Sequence, residues 1–213
     1  MVSAVDAVYK TLEEDIYSLK FAPGEQITET DLTFRYGVSR NTVREAVAYL
    51  LKNGLLVKEK NKGIFIKSIA FSDVTEIFHL RLLFEREAVG HIHAGADLSA
   101  LERALDGVEQ VDKQANWYEY VAADGDFHRI LVGSAGSPRL KNLYETILSE
   151  VKLCIYQARE LNIPSAKGIY DHRSIFDKLS AGEIEAAADI VGRHMQITVE
   201  DFRRSFETRK GRI

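Results

Sequence analysis

Asp124 and His128 stand four residues apart in the run DGDFH. If that run is helical, both side chains leave one face of one helix, where a carboxylate oxygen and an imidazole nitrogen can bind the same metal ion. His172 and His194 follow on two later segments that also read as helices. One carboxylate with three neutral imidazoles is a donor set suited to zinc, nickel, manganese or iron, and unsuited to calcium. Spacing selects only the pair Asp124 and His128. His79, His91 and His93 are equally open as partners, and a lone histidine is more often an ordinary surface or core residue.

A second chemistry lies nearer the N-terminus, in TETDLTFRYGVSRNTVREAVAYLL, residues 28 to 51. Thr28 and Asp31 have capping-box spacing, so a short helix starts near Glu29, and Gly37 is suited to end it in a left-handed conformation. Ser39 then starts a second helix. On it Val43, Ala46, Val47, Leu50 and Leu51 make one apolar stripe, and Arg40, Asn41 and Arg44 lie opposite. Two arginines one turn apart at a helix N-terminus suit base edges and phosphates, as on the recognition helix of a helix-turn-helix. Any amphipathic helical hairpin also has a solvated polar face, so the flanking sequence must decide.

Gly54 ends the second helix, and LLVKEK (55 to 60) and GIFIKS (63 to 68) read as two strands around Asn61, Lys62 and Gly63, a hairpin wing. Between Arg35 and Lys67 eight basic side chains face two acidic ones, whereas the whole chain carries net charge -4. The positive excess is therefore local, as a winged DNA-reading domain requires. Residues 71 to 213 carry 18 basic and 23 acidic side chains, which argues against their wrapping nucleic acid.

The remaining elements must position these groups. Val5, Val8, Leu12, Ile16 and Leu19 form a helical stripe that closes at Pro23 and Gly24. The spacing after Phe71 predicts only helices: one capped by Ser72 with Ile77, Leu80, Phe84 and Ala88 inward, and one opened by Ser99 and Glu102. Others run over 117 to 132, from Pro138 to about Arg159, around His172 to Leu179 after a break at Pro164, and after AGE (181 to 183) to about Thr208. The expected fold is mainly α: a winged helix-turn-helix domain over 1 to 69 and an all-α helical bundle over 70 to 213. Cys154 is the only cysteine, so no internal disulfide forms and a reducing compartment fits. The N-terminus has no uninterrupted apolar core of a signal peptide, and no run of about 18 apolar residues occurs. A soluble, cytoplasmic protein without a membrane segment is expected.

The run APGEQITETDLTFRYGVSRNTVREAVAYLLKNGLLVKEKNKGIFI resembles the N-terminal domain of GntR-type bacterial transcription regulators. HLRLLFEREAV, DGDFHRILVGSAGSPRL, DHRSIFDKL and AGEIEAAADIVGRHM resemble the FCD ligand-sensing domain of their FadR subgroup. The resemblance covers nearly the whole chain. It implies a homodimer, repressor or activator, on a palindromic double-stranded operator, with a helical domain that binds a small organic acid, often beside a metal such as zinc, nickel or manganese. It also implies that the metal ligands are Asp124, His128, His172 and His194, the full set of the metal-binding branch, and that Arg81 lines the effector pocket. Arg81 also stands one turn from Glu85, so an ordinary ion pair along the helix is the competing reading. Ser39, Arg40, Asn41, Thr42 and Arg44 on the recognition helix, with Lys62 and Gly63 on the wing, are the expected DNA contacts.

Two departures from the family pattern stand out. Thr30 replaces a basic residue common on the first helix, and Asn41-Thr42 replace the usual Thr-Pro after the turn arginine. Asparagine pairs with adenine or touches only phosphate and water; the residue type fits both. An enzyme is the competing class, since a metal with an open position activates water. No general base has a motif-level claim and no nucleophile motif is present, so the expectation is a regulator and not an enzyme. A purely structural metal is the third reading.

Overall fold

A computed structural model describes residues 3–93, 95–111, 117–158 and 168–210. Two compact units divide the chain, Met1–Ala70 and Phe71–Ile213, one residue beyond the expected boundary.

In the first unit, helix α1 (Ala4–Tyr17) opens on a capping box in which the Ser3 hydroxyl accepts from the Asp6 N–H and the Asp6 carboxylate accepts from Ser3. Val8, Leu12 and Ile16 are buried. Leu19 lies past the end of the helix with φ 58. Helix α2 (Glu29–Tyr36) is capped by Thr28 and ends at Gly37, whose φ of 64 is the left-handed conformation that glycine adopts without a Cβ penalty. The Ser39 hydroxyl accepts from the Thr42 N–H and starts α3 (Arg40–Lys52). Val43, Ala46, Val47 and Leu50 face the core, and α3 packs on α1. Leu51 is only half-buried at the edge of this stripe.

Strands β2 (Leu56–Glu59) and β3 (Gly63–Ile66) form the wing, antiparallel with Leu56 opposite Ile66 and Glu59 opposite Gly63. A third strand, β1 (Gln26–Ile27), adds to the other edge of β3 in the order β1-β3-β2. Two residues are too few to show a period of two, so nothing local announces this strand.

Among its described residues the second unit has helices and no strand: α4 (Phe71–His91), α5 (Ser99–Gln110), α6 (Trp117–Gly133), α7 (Pro138–Ala158), α8 (Gly168–Ser180) and α9 (Ile184–Lys210). Helix α4 packs on α9, α7 and α6, while α8 packs on α9 and on α5. Pro138 is the first residue of α7, where its missing N–H costs no helix bond. The expected break at Pro164 and the end of α7 at Arg159 lie outside the described residues. Two caps differ from expectation. Helix α4 begins at Phe71, so Ser72 is already inside it. Ser99 is the first helical residue of α5 rather than its cap, and its N–H donates to the Asp97 carboxylate at 2.9 Å.

The stripe expected on α4 is buried at Ile77 and Ala88 and half-buried at Leu80 and Phe84. The same face also turns Arg81 and Glu85 inward, 2% and 0% exposed. Arg81 is the largest fully buried side chain among the described residues. Burying two charges is costly unless each finds a partner, and these partners lead to the site.

Candidate metal centre and DNA-reading helix

Asp124 and His128 leave α6 one turn apart, as their spacing requires, while His172 comes from α8 and His194 from α9. All four are buried, and one ligand atom from each lies within 4.8 Å of the others. His128 Nε2 is 2.9 Å from His172 Nε2, and Asp124 Oδ1 is 3.2 Å from His172 Nε2 and 3.8 Å from His128 Nε2. The Phe127 ring stands edge-on to both His128 and His172 and closes that side with apolar surface. His79, His91 and His93 are exposed and lie outside the cluster.

A second layer of polar groups orients the first. Glu85 Oε2 is 2.8 Å from His128 Nδ1, and Glu85 Oε1 accepts from Arg81 Nε at 2.7 Å and from the Tyr144 hydroxyl at 2.9 Å. Burial would raise the Glu85 carboxyl, but its contacts with His128 and Arg81 outweigh it and hold the group at about 2. Burial likewise works against Asp124 and is overcome by His128, His172 and Arg81, leaving Asp124 well below the ordinary carboxylate range. Burial pushes His172 down to about 4 and also lowers His128, so both imidazoles are neutral at pH 7. Asp171 Oδ2 stands 3.3 Å from His194 Nδ1 on the far side.

The donor set fits a divalent transition metal. Glu85 Oε2 faces His128 Nδ1 and leaves Nε2 toward the other donors, an arrangement typical of metal-bound histidines. Asp171 can act on His194 in the same way. Among the described residues three buried side-chain polar atoms have no hydrogen-bond partner, and two of them belong to this centre: Arg81 Nη2, which is 3.6 Å from Asp124 Oδ2, and His172 Nδ1. Arg81 makes the ion pair with Glu85 that its spacing along the helix suggests. Its Nε is committed to Glu85, and its Nη2 lacks a hydrogen-bond partner but stands within ion-pair range of Asp124.

The spacing of Arg81 and Glu85 pointed to their ion pair, but the bond from Glu85 to His128 spans 43 residues and had no local signal. Tyr144, 59 residues from Glu85, was missed for the same reason. Asp171 sits next to His172 in sequence yet serves His194, a pairing that only the packing of α8 on α9 creates.

In the first unit Arg40, Asn41 and Arg44 are exposed on α3. Ser39 and Thr42 are engaged with each other: besides the cap, their hydroxyls are 2.9 Å apart. Arg44 is not free, since its Nη2 lies 3.2 Å from Glu29 Oε2 on α2. Lys62 at the wing tip pairs with Glu59 at 2.8 Å. Gly63 has φ 117, and a Cβ there would meet Gln26 Nε2 at 2.8 Å. The requirement for glycine thus arises from the backbone conformation, and Gln26 Nε2, which donates to the Lys62 carbonyl at 2.7 Å, also occupies the space a Cβ would enter. Among the described residues no helix is long and apolar enough to cross a membrane.

Comparison with known proteins agrees with both halves. Residues 4–66 match the gntR family of bacterial regulatory proteins, and residues 76–197 match the FCD domain. The chain is 31% identical to the uncharacterized HTH-type transcriptional regulator YdhC of Bacillus subtilis, over 95% of this chain and 92% of that protein. It is 24% identical to the HTH-type transcriptional repressor RspR of Escherichia coli, over 92% of this chain and 87% of that one. The crystal structure of a putative transcriptional regulator GntR from Rhodococcus sp. RHA1 superposes with a TM-score of 0.81 at 27% identity, covering 92% of this chain and 95% of that structure. These relatives are transcription regulators, not enzymes. A winged helix-turn-helix with an exposed basic helix face, followed by an FCD bundle whose Asp/His cluster could hold a metal, identifies the chain as a DNA-binding transcription regulator of the GntR family.

Proposed function

We propose that this regulator's hold on its operator is set by a small organic acid bound beside a divalent transition metal in the helical unit. The observation that carries the reading is the convergence of Asp124, His128, His172 and His194 within 4.8 Å, next to a nitrogen of buried Arg81 that has no hydrogen-bond partner. A metal bound there supplies positive charge and open coordination positions to an anionic oxygen. Zinc, nickel and manganese all suit the donors. Arg81 Nη2 receives the other end of the anion, because a guanidinium nitrogen without a hydrogen-bond partner gains most from a charged acceptor. A purely structural metal is the second reading, supported by the near-complete burial of all four ligands.

On the DNA side, Arg40, Asn41 and Arg44 read the major groove and adjoining phosphates, Ser39 and Thr42 place the N-terminus of α3 at the backbone, and Lys62 and Gly63 bring the wing to the duplex. One short helix reads too few base pairs for a genome search, so the protein works in the cytoplasm as a homodimer on a palindrome, with the helical unit supplying much of the dimer contact. The name of RspR favours repression. The deciding experiment combines metal analysis of the purified protein with its melting temperature. Bound metal, or a rise in melting temperature on adding zinc, nickel or manganese, is expected; absence of both removes the metal reading. Light scattering at 24.0 kDa both free and on DNA would remove the dimer.

A further inference from the structure

Glu85 is fully buried and meets three side chains beside the centre, Arg81, Tyr144 and the ligand candidate His128. It lies on α4, His128 on α6 and Tyr144 on α7, so three helices join at one carboxylate. Oε1 already accepts two donors, from Arg81 at 2.7 Å and from Tyr144 at 2.9 Å, and Oε2 is left for His128 Nδ1 at 2.8 Å. An arginine is always protonated and a phenol donates, so the carboxylate is charged and can only accept from the imidazole. The proton of His128 then resides on Nδ1. Its Nε2 bears a lone pair, 2.9 Å from His172 Nε2 and 3.8 Å from Asp124 Oδ1.

A neutral imidazole left to itself favours the opposite tautomer, with the proton on Nε2. In that form His128 would aim an N–H into the donor cluster and be lost as a ligand. We propose that Glu85 is the positioning residue of the centre: it locks His128 in the Nδ1–H tautomer and fixes its ring, so that Nε2 is preset as a ligand before any ion arrives. The same carboxylate holds Arg81 by Nε, which gives the histidine ligand and the anion-receiving arginine one common anchor on α4.

The inference rests on the reading of this cluster as a metal site, and its test separates the two. Long-range nitrogen-proton spectra of the metal-free full chain, labelled at histidine nitrogens, read the tautomer directly, with His128 assigned by its loss in His128→Asn. Wild-type His128 is expected as Nδ1–H. Glu85→Gln is expected to release the tautomer and to weaken zinc binding by about 10- to 100-fold, the usual effect of removing a carboxylate behind a metal-bound histidine. A wild-type His128 protonated at Nε2 overturns the proposal, even if the variant fails to fold. Zinc affinity and tautomer both unchanged in Glu85→Gln overturn it as well. Wild-type protein that takes up none of zinc, nickel and manganese would instead end the metal reading, whereas zinc binding that survives Glu85→Gln undiminished ends only the role given to Glu85.

Discussion

His128 Nε2 and His172 Nε2 stand 2.9 Å apart although 44 residues separate them in the chain. With the proton of His128 on Nδ1, the contact is held by the single proton of His172 or replaced by one shared ion. His172→Ala removes one of four donors and leaves the winged unit untouched. It is expected to abolish stoichiometric zinc binding, together with the gain in stability from zinc, which for a ligand at a hundred times its Kd is about 2.7 kcal/mol. Specific DNA binding by the metal-free protein should be retained. Zinc titration by calorimetry beside a DNA gel shift checks both halves, and a variant that binds zinc as the wild type does would exclude His172 as a ligand.

Arg81→Ala is expected to do more than weaken an effector. Glu85 and Asp124 lose a buried positive neighbour at 2.7 and 3.6 Å. Breaking a buried ion pair from one side typically costs about 3 to 5 kcal/mol, so chemical unfolding of the helical unit should shift markedly. An effector assay on this variant is therefore interpretable only below its melting temperature. Stability equal to the wild type would mean that the pair contributes little.

Arg44→Ala is expected to cost about 1 to 3 kcal/mol of specific operator binding. Because Arg44 must leave Glu29 to reach DNA, Glu29→Gln should strengthen binding modestly and most at low salt. Salt titrations on operator and random DNA measure both. An affinity and slope unchanged in Arg44→Ala would remove this arginine from the interface.

Asp15 ties three segments of the winged unit together. Its carboxylate meets Lys20 at 2.5 Å, Arg35 at 3.2 Å and the Tyr36 hydroxyl at 2.9 Å. Burial would raise its pKa, but Lys20 and Tyr36, with help from Arg35, bring it below the ordinary 3.8. A folded value below the unfolded one means that Asp15 adds stability above the ordinary value and loses it as the pH falls through the folded value. Asp15→Asn should accordingly lower stability at pH 7 by about 1 to 3 kcal/mol and flatten the acid side of the profile below about pH 4. Denaturant unfolding of the intact chain, followed by circular dichroism across pH, decides it; parallel profiles for wild type and variant would contradict the assignment.

Much of the winged unit was legible in the sequence because its signals are local. Thr28, Gly37 and Ser39 act on residues no more than four positions away, and the stripe on α3 repeats with the helical period. The pair Asp124 and His128 was legible for the same reason. Strand β1 was not, because its two residues have meaning only against Phe65 and Ile64 across the sheet.

The residue types of Asp124, His128, His172 and His194, the local positive charge around α3 and the succession of helices after Phe71 were determined by the sequence alone. Which histidines converge was decided by the packing of α6, α8 and α9, and it leaves His79, His91 and His93 at the surface. Tertiary structure also decided the double engagement of Arg81 and the bonds from Glu85 to His128 and Tyr144. Hydrogen bonds and ion contacts act over about 3 Å, whereas the periodicities of a chain report only which face of its own helix a side chain occupies. The face a residue occupies is local information; the partner that waits opposite belongs to another helix, and only the folded bundle brings the two together.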